Sequence, residues 1–332
     1  MSYPKWIDKL PSEHKPMPIL SFPSAPLMGV SVYALTHDAD IQANGIVRVA
    51  QETNAAAAVT MMDLSLEAEA FGCTLHTSEN EVPTVVGALV TDEDEVDELE
   101  IPQVGDARTG LYIEAAKKAK SRITDRPVLA GVIGPFSLAG RLMDVTEALA
   151  NCICDPDFVH AVMRKTTPFL IEYAKAYKAA GLDGIVMAEP LSGLLSPALE
   201  EEFSAPYCKE LIDVVQDESF AVIYHNCGPN TPKMTDSLSS LGASAYHFGD
   251  AVQLEEILEK MPSDRVVMGN ISPSKQFLGG TPDSMAQAVK ELLEKCAGHK
   301  NFLLSSGCDI PPKSSWDNIR AFFRASEEFY AE

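Results

Sequence analysis

Short apolar runs recur along the chain, each followed by a stretch long enough for a helix, and this alternation narrows the folds open to it. Eight runs stand out: residues 18–22 (PILSF), 56–62 (AAAVTMM), 128–136 (VLAGVIGPF), 184–189 (GIVMAE), 221–227 (AVIYHNC), 243–248 (ASAYHF), 266–270 (VVMGN) and 302–306 (FLLSS). Near-continuous apolar runs suit strands covered on both faces, as in a parallel sheet. The stretches between them read as helices. Asp155 and Pro156 supply an N-cap and a first-turn proline; Phe158, Val162, Phe169, Tyr173 and Tyr177 form one stripe; Gly181 ends it. Ser196-Pro197 and Thr281-Pro282 repeat that start. Eight strands with right-handed crossovers close most simply as an α/β fold of the (β/α)8 TIM-barrel type. An open doubly wound sheet fits less well, because no glycine-rich phosphate turn follows the first run. Residues 74–102 break the alternation with Val/Thr runs and an acidic stretch, which predicts a β-hairpin insertion and a short acidic helix between the second and third strands. The expected organisation is one barrel domain over 1–332, with 1–16 as an N-terminal extension and 74–106 as the insertion.

Charge removes several function classes. Lys+Arg number 26 and Asp+Glu 48, for a net charge of −22. Phosphate backbones and anionic lipid surfaces repel such a chain, so nucleic acid is not an expected partner. The longest apolar stretch, 128–136, falls far short of the roughly 20 residues that span a bilayer, so no membrane is expected either. The first sixteen residues carry charges throughout and do not read as a signal peptide. Seven scattered cysteines, an odd number, indicate free thiols or metal ligands in a reducing, cytoplasmic setting. A homodimer is compatible with an acidic barrel of this size.

In a barrel, function gathers at the C-terminal ends of the strands. Those ends carry Asp63, Gly134-Pro135, Glu189, His225 with Cys227, His247, Asn270 and Cys308. His225 and Cys227 are two apart on one strand, so both side chains face the same side. Cys308 lies just beyond the last run. One imidazole and two thiols are donors that zinc prefers, and three protein ligands leave a fourth position open, as in catalytic sites. The competing reading is a hydrogen-bonded core histidine and two buried small thiols, the usual fate of free cysteine. Meeting at one barrel mouth weighs against it. Two thiolates and a neutral imidazole cancel the charge of a dication, so such a site polarises water weakly yet still holds an incoming thiol as thiolate. Alkyl transfer to a thiol is the favoured chemistry and hydrolysis the second choice.

HNCG at 225–228, SSGCDIPP at 305–312, DLSLEAEAFGC at 63–73, GPFSLAGR at 134–141 and GNISPSK at 269–275 together resemble the uroporphyrinogen decarboxylase superfamily. The HxC…C pattern within them is similar to its branch of zinc-dependent methylcobamide:thiol methyltransferases, the coenzyme M enzymes included. The resemblance runs over about residues 15–330. It implies an enzyme that moves a methyl group from a methyl-Co(III) corrinoid, usually carried by a small corrinoid protein, to a small thiol substrate. It also implies Zn2+ as cofactor, with His225, Cys227 and Cys308 matching the ligands of that branch. The decarboxylase branch uses an N-terminal arginine-rich motif and a nearby aspartate to hold a porphyrinogen. Here the first arginine is Arg48, and PSAPLMGVS follows the first run. A decarboxylase of a tetrapyrrole acid and a non-catalytic barrel binding a corrinoid or a partner remain the alternatives.

Other strand-end residues have two readings each. Glu189 is a labile fourth ligand or acceptor of the thiol proton, or else an inward carboxylate bonded to loop amides. Asp63 is a second acid/base group or a ligand to the corrinoid side, or else a helix cap. Gly134 and Pro135 form a side-chain-poor rim for a flat corrin, or ordinary turn chemistry. Arg141 and Lys275, each soon after a strand end, are the cations placed to meet an anionic thiol, and Asn270 joins them as a substrate-side candidate. His247 reads as a packed core histidine, and Cys152 with Cys154 as structural.

Overall fold

The computed structural model describes residues 2–331. Nine strands occur among them: β1 (Ala58–Val59), β2 (Leu75–His76), β3 (Thr84–Val85), β4 (Val128–Ile133), β5 (Gly184–Ala188), β6 (Ala221–Asn226), β7 (Ala245–Phe248), β8 (Val266–Ile271) and β9 (Phe302–Ser306). Seven form one curled parallel sheet in the order β1-β4-β5-β6-β7-β8-β9. Each overlaps a run of the sequence. Helices fill the crossovers, among them Thr109–Arg122, Pro156–Ala179, Ala205–Val215 and Pro282–Cys296. This is the α/β architecture of the TIM-barrel type. No helix of the described residues is long and apolar enough to cross a membrane.

The first expected strand does not form. Residues 18–22 carry no strand; instead the chain closes the barrel through isolated bonds between β9 and β1. Met17 N–H donates to the Leu304 carbonyl at 2.9 Å, and the Pro16 carbonyl accepts Ala56 N–H at 2.9 Å. Pro16 and Pro18 have no N–H to give, so a continuous ladder across this segment is impossible. The apolar run is real; the proline spacing decides its conformation.

Period-two alternation sorts the strand side chains into two layers. Val59, Leu129, Val186, Ala188, Ala221, Ile223, Ala245, Val266, Met268 and Leu303 fill the barrel interior with Met17 and Ile19. Their neighbours, such as Ile185, Met187, Tyr224, Tyr246 and Leu304, pack outward against the helices. The segment before residue 17 enters the inner layer through Tyr3, Ile7 and Leu10. The Tyr3 hydroxyl accepts from Arg265, next to the start of β8, so this segment plugs the barrel at the N-terminal ends of its strands. The opposite end is left for chemistry.

Local signals hold where the caps are strong. Asp155 accepts from Phe158 N–H at the start of Pro156–Ala179, and all five residues of the stripe are buried. Thr281 forms a reciprocal capping box with Ser284. In the insertion, β2 and β3 pair antiparallel with Leu75 opposite Val85, and the acidic helix Glu93–Glu98 starts from an Asp92 cap.

Candidate metal centre and adjoining pocket

β6 delivers two of the three candidate ligands by simple alternation. Ala221 and Ile223 point inward, so His225 and then Cys227 do too. Asn226 between them faces the other way and fixes the turn. Its amide donates to Ser192 Oγ at 2.8 Å and Tyr224 Oη at 3.1 Å, and its oxygen accepts Gly228 N–H at 2.9 Å and Thr231 Oγ1 at 3.1 Å. Cys308, just past β9, comes across the mouth to place its Sγ 3.5 Å from His225 Nε2. The donor atoms of His225, Cys227 and Cys308 all lie within 4.8 Å of one another. The two sulfurs share a hydrogen bond; it holds the Cys227 thiol below its ordinary range and, with burial, pushes Cys308 up to about 12. Two thiol sulfurs in hydrogen-bond contact beside an imidazole are a donor set whose protons a metal cation displaces. The residues fit zinc.

Behind His225 stands His247, its register partner on β7. Their Nδ1 atoms are 2.7 Å apart, and His247 Nε2 lies 2.8 Å from Ser305 Oγ on β9. Burial, then the neighbouring His225, keep the His247 imidazole neutral. The packed-histidine reading of His247 therefore holds for its burial, and its partners add a contact to the candidate ligand.

The other candidates divide. Cys227 lines a pocket of about 250 Å³ with Leu64, Ile133, Ser137, Arg141, Val145, Pro190, Leu191, Leu194, Gly228 and Pro229. Arg141 is its one cation, half-buried and without an ion-pair partner among the described residues. Lys275 is exposed in the segment after β8 and does not line this pocket. Asn270 spends its amide on the Gly249 and Val252 carbonyls, at 2.9 and 3.0 Å, and so steadies the loop that follows β7. Gly134 and Pro135 do not line the pocket, although Ile133 and Ser137 on either side do.

Glu189 faces away from the three donors. Val186 and Ala188 both point into the barrel, so parity carries Glu189 into the outer layer. There it is fully buried at the N-terminus of helix Pro135–Met143, accepting Phe136 N–H at 3.0 Å, Ser137 N–H at 2.6 Å, the Ser137 hydroxyl, and the Cys208 thiol at 3.5 Å. Burial pushes its carboxyl up to about 7 against these bonds. A side chain at Gly134 would meet it, since a Cβ there falls 2.4 Å from Glu189 Oε2. Glu189 thus bonds backbone amides, as its second reading expected, but those of a helix first turn and from the outer layer rather than inward, and Gly134 leaves room for that carboxylate.

Asp63 is likewise engaged. One oxygen accepts Ser65 N–H and Oγ at 3.1 and 2.6 Å; the other accepts Arg108 Nη1 at 2.8 Å and Tyr112 Oη at 2.9 Å. Arg108 also donates to Glu69 at 2.6 Å. Glu67, in the same short helix Leu66–Ala70 as Glu69, is buried and accepts Ile133 N–H at 3.0 Å. Sequence reading missed Arg108 and Ser137. Neither carries a local signal, because a cation beside a helix start and a serine one turn into another look ordinary until the partners are known.

The uroporphyrinogen decarboxylase (URO-D) family profile matches residues 17–329. The chain belongs to that family. Among its relatives, the methylcobamide:CoM methyltransferase MtbA of Methanosarcina acetivorans is 25% identical over 80% of this chain and 78% of its own length. The methylated-thiol–coenzyme M methyltransferase of Methanosarcina mazei is 26% identical over 82% and 72%. Uroporphyrinogen decarboxylase of Coxiella burnetii is 23% identical over 82% and 77%. In fold, this URO-D family member superposes on a methyltransferase from Methanosarcina mazei with a TM-score of 0.84, covering 95% of this chain and 94% of that one at 22% identity.

Proposed function

We propose that this URO-D family member is a zinc-dependent methyltransferase that carries a methyl group from a methyl-Co(III) corrinoid to a small thiol. The observation that carries the reading is the His225, Cys227 and Cys308 donor set at the edge of an apolar pocket whose one cation among the described residues, Arg141, has no ion-pair partner among them. His225, Cys227 and Cys308 would hold zinc there, and the ion would supply the Lewis acidity that keeps an arriving thiol as a nucleophilic thiolate. The chain's own residues do the rest. Leu64, Ile133, Val145, Leu191 and Leu194 exclude water from the thiol's carbon chain, and Arg141 fixes its far end when that end is an anion. A pocket of about 250 Å³ suits a small thiol, and a flat corrin would meet the sulfur from the mouth. Alignment of sulfur, carbon and cobalt is worth about 7–11 kcal/mol of barrier in favourable cases. The relatives named as methylcobamide:CoM and methylated-thiol–coenzyme M methyltransferases support this choice. The methylcobamide in the first of these names supports a methyl-corrinoid donor, which on this reading a corrinoid protein carries.

Decarboxylation of a tetrapyrrole acid is the reading favoured by the decarboxylase relatives. A polycarboxylate needs several cations, and this pocket offers one. The test incubates the protein with methylcobalamin and a panel of thiols, coenzyme M among them, and follows the corrin spectrum. Zinc-dependent demethylation is expected, abolished in Cys227→Ala and Cys308→Ala together with about one bound zinc per chain. Arg141→Met is expected to raise KM for anionic thiols about 10–100-fold while sparing simple alkyl thiols, the range for a lost charged hydrogen bond. Carbon dioxide release from uroporphyrinogen without thiol methylation overturns the proposal.

A further inference from the structure

The contacts behind His225 form a chain whose proton directions are fixed from one end. The Met17 carbonyl can only accept, so the Ser305 hydroxyl at 2.7 Å donates its single proton to it. Ser305 Oγ is then left as the acceptor for His247 Nε2–H at 2.8 Å. A neutral imidazole carries one ring proton, so His247 Nδ1 is a lone pair, and the His225 nitrogen 2.7 Å away must be Nδ1–H. A histidine ligates a metal as a neutral ring, so with the proton on Nδ1 the lone pair offered to a metal is on Nε2, the nitrogen that faces Cys308. All four groups are buried, so water does not compete for any link.

We infer that His247 and Ser305 are positioning residues that lock His225 in the Nδ1–H tautomer and so present its Nε2 lone pair to the metal. The inference rests on the zinc reading above and extends it to residues that touch neither metal nor substrate. The anchor is a product of the missing first strand. The proline-interrupted segment that closes the barrel bonds through Met17 N–H to β9 and leaves the Met17 carbonyl to take the Ser305 hydroxyl. Orienting groups of this kind set both the ring angle and the basicity of a ligating imidazole.

Three measurements on the full chain test it. Nitrogen-detected NMR of metal-free protein is expected to show His225 protonated at Nδ1 and bare at Nε2; the opposite tautomer overturns the inference whatever metal the protein binds. Zinc affinity, from competition with a chromophoric chelator, is expected to fall about 10–100-fold in His247→Phe. In His247→Asn, whose amide oxygen can accept from His225 Nδ1–H, affinity should stay near wild type. Ser305→Ala, a milder change should His247→Phe fold poorly, is expected to mix the His225 tautomers and weaken zinc. Cobalt(II) loaded in place of zinc should show shifted d–d bands in His247→Phe and wild-type bands in His247→Asn. Unchanged affinity and bands in a folded His247→Phe protein leave His247 a packing residue only. Loss of the metal reading itself is separate: it would appear as wild-type zinc content in Cys227→Ala and Cys308→Ala.

Discussion

Gly249 is the position where one methyl group should disconnect the metal centre. It follows β7, and its N–H donates to the Asn226 carbonyl at 3.0 Å, so its backbone is tied to the strand that carries the ligands. A Cβ built there falls 2.4 Å from Cys227 Cβ, 2.6 Å from Cys227 Cα and 3.2 Å from the Gly307 carbonyl. Carbon atoms in ordinary contact stand about 3.5–4.0 Å apart. In Gly249→Ala the Cys227 backbone must therefore recede by about 1 Å, and a new rotamer offers no escape because Cα itself is struck. A working metal site tolerates about 0.2 Å in its ligand distances. The displacement exceeds that several-fold, so the loss of zinc affinity should exceed the roughly 100-fold upper range for outer-shell changes. Overpacking should cost the fold only about 1–3 kcal/mol, so the variant stays folded. The assay is zinc per chain after desalting plus a chelator competition, run beside a thermal melt. Gly298→Ala, where an added Cβ meets nothing within 4 Å, is the control. Zinc affinity within twofold of wild type in Gly249→Ala would refute the reasoning.

Two further outcomes follow from buried charges. Arg108→Met strands Asp63, which is fully enclosed and pairs with Arg108 at 2.8 Å; stability should drop by about 3–5 kcal/mol in denaturant titration while zinc content stays at the wild-type value. Glu67 has its carboxyl pushed up to about 8, chiefly by burial, so the folded chain holds a proton there that the unfolded chain releases near 4.5. Stability is therefore lost as pH rises from about 4.5 to 8, at ~1.4 kcal/mol per pH unit, and Glu67→Gln should remove this slope. Melting curves should show the variant more stable than wild type by about 3 kcal/mol at pH 7 and equal to it below pH 4.5; an identical gap at both pH values would contradict the assignment.

What the sequence determines here is whatever repeats with a short period. Seven barrel strands overlap its apolar runs because double-sided burial demands apolar residues at nearly every position. Caps such as Asp155 and Thr281 are legible because donor and acceptor sit three residues apart. His225 and Cys227 share a face for the same local reason, and the same parity, applied to Val186 and Ala188, would have turned Glu189 outward from sequence alone. The failed strand at 18–22 was legible too, in Pro16 and Pro18. Tertiary structure alone decides the contacts whose partners are far apart in the chain: Cys308 with His225 across 83 residues, Arg108 with Asp63 across 45, Ser305 with the Met17 carbonyl across 288. Such distances depend on the closure of the whole barrel and on the length of every crossover between, so no window of sequence contains them. Arg141 was nameable as a cation near a strand end; that it lines the pocket and Lys275 does not came only from where the helix after β4 and the helical turn after β8 lie around the mouth.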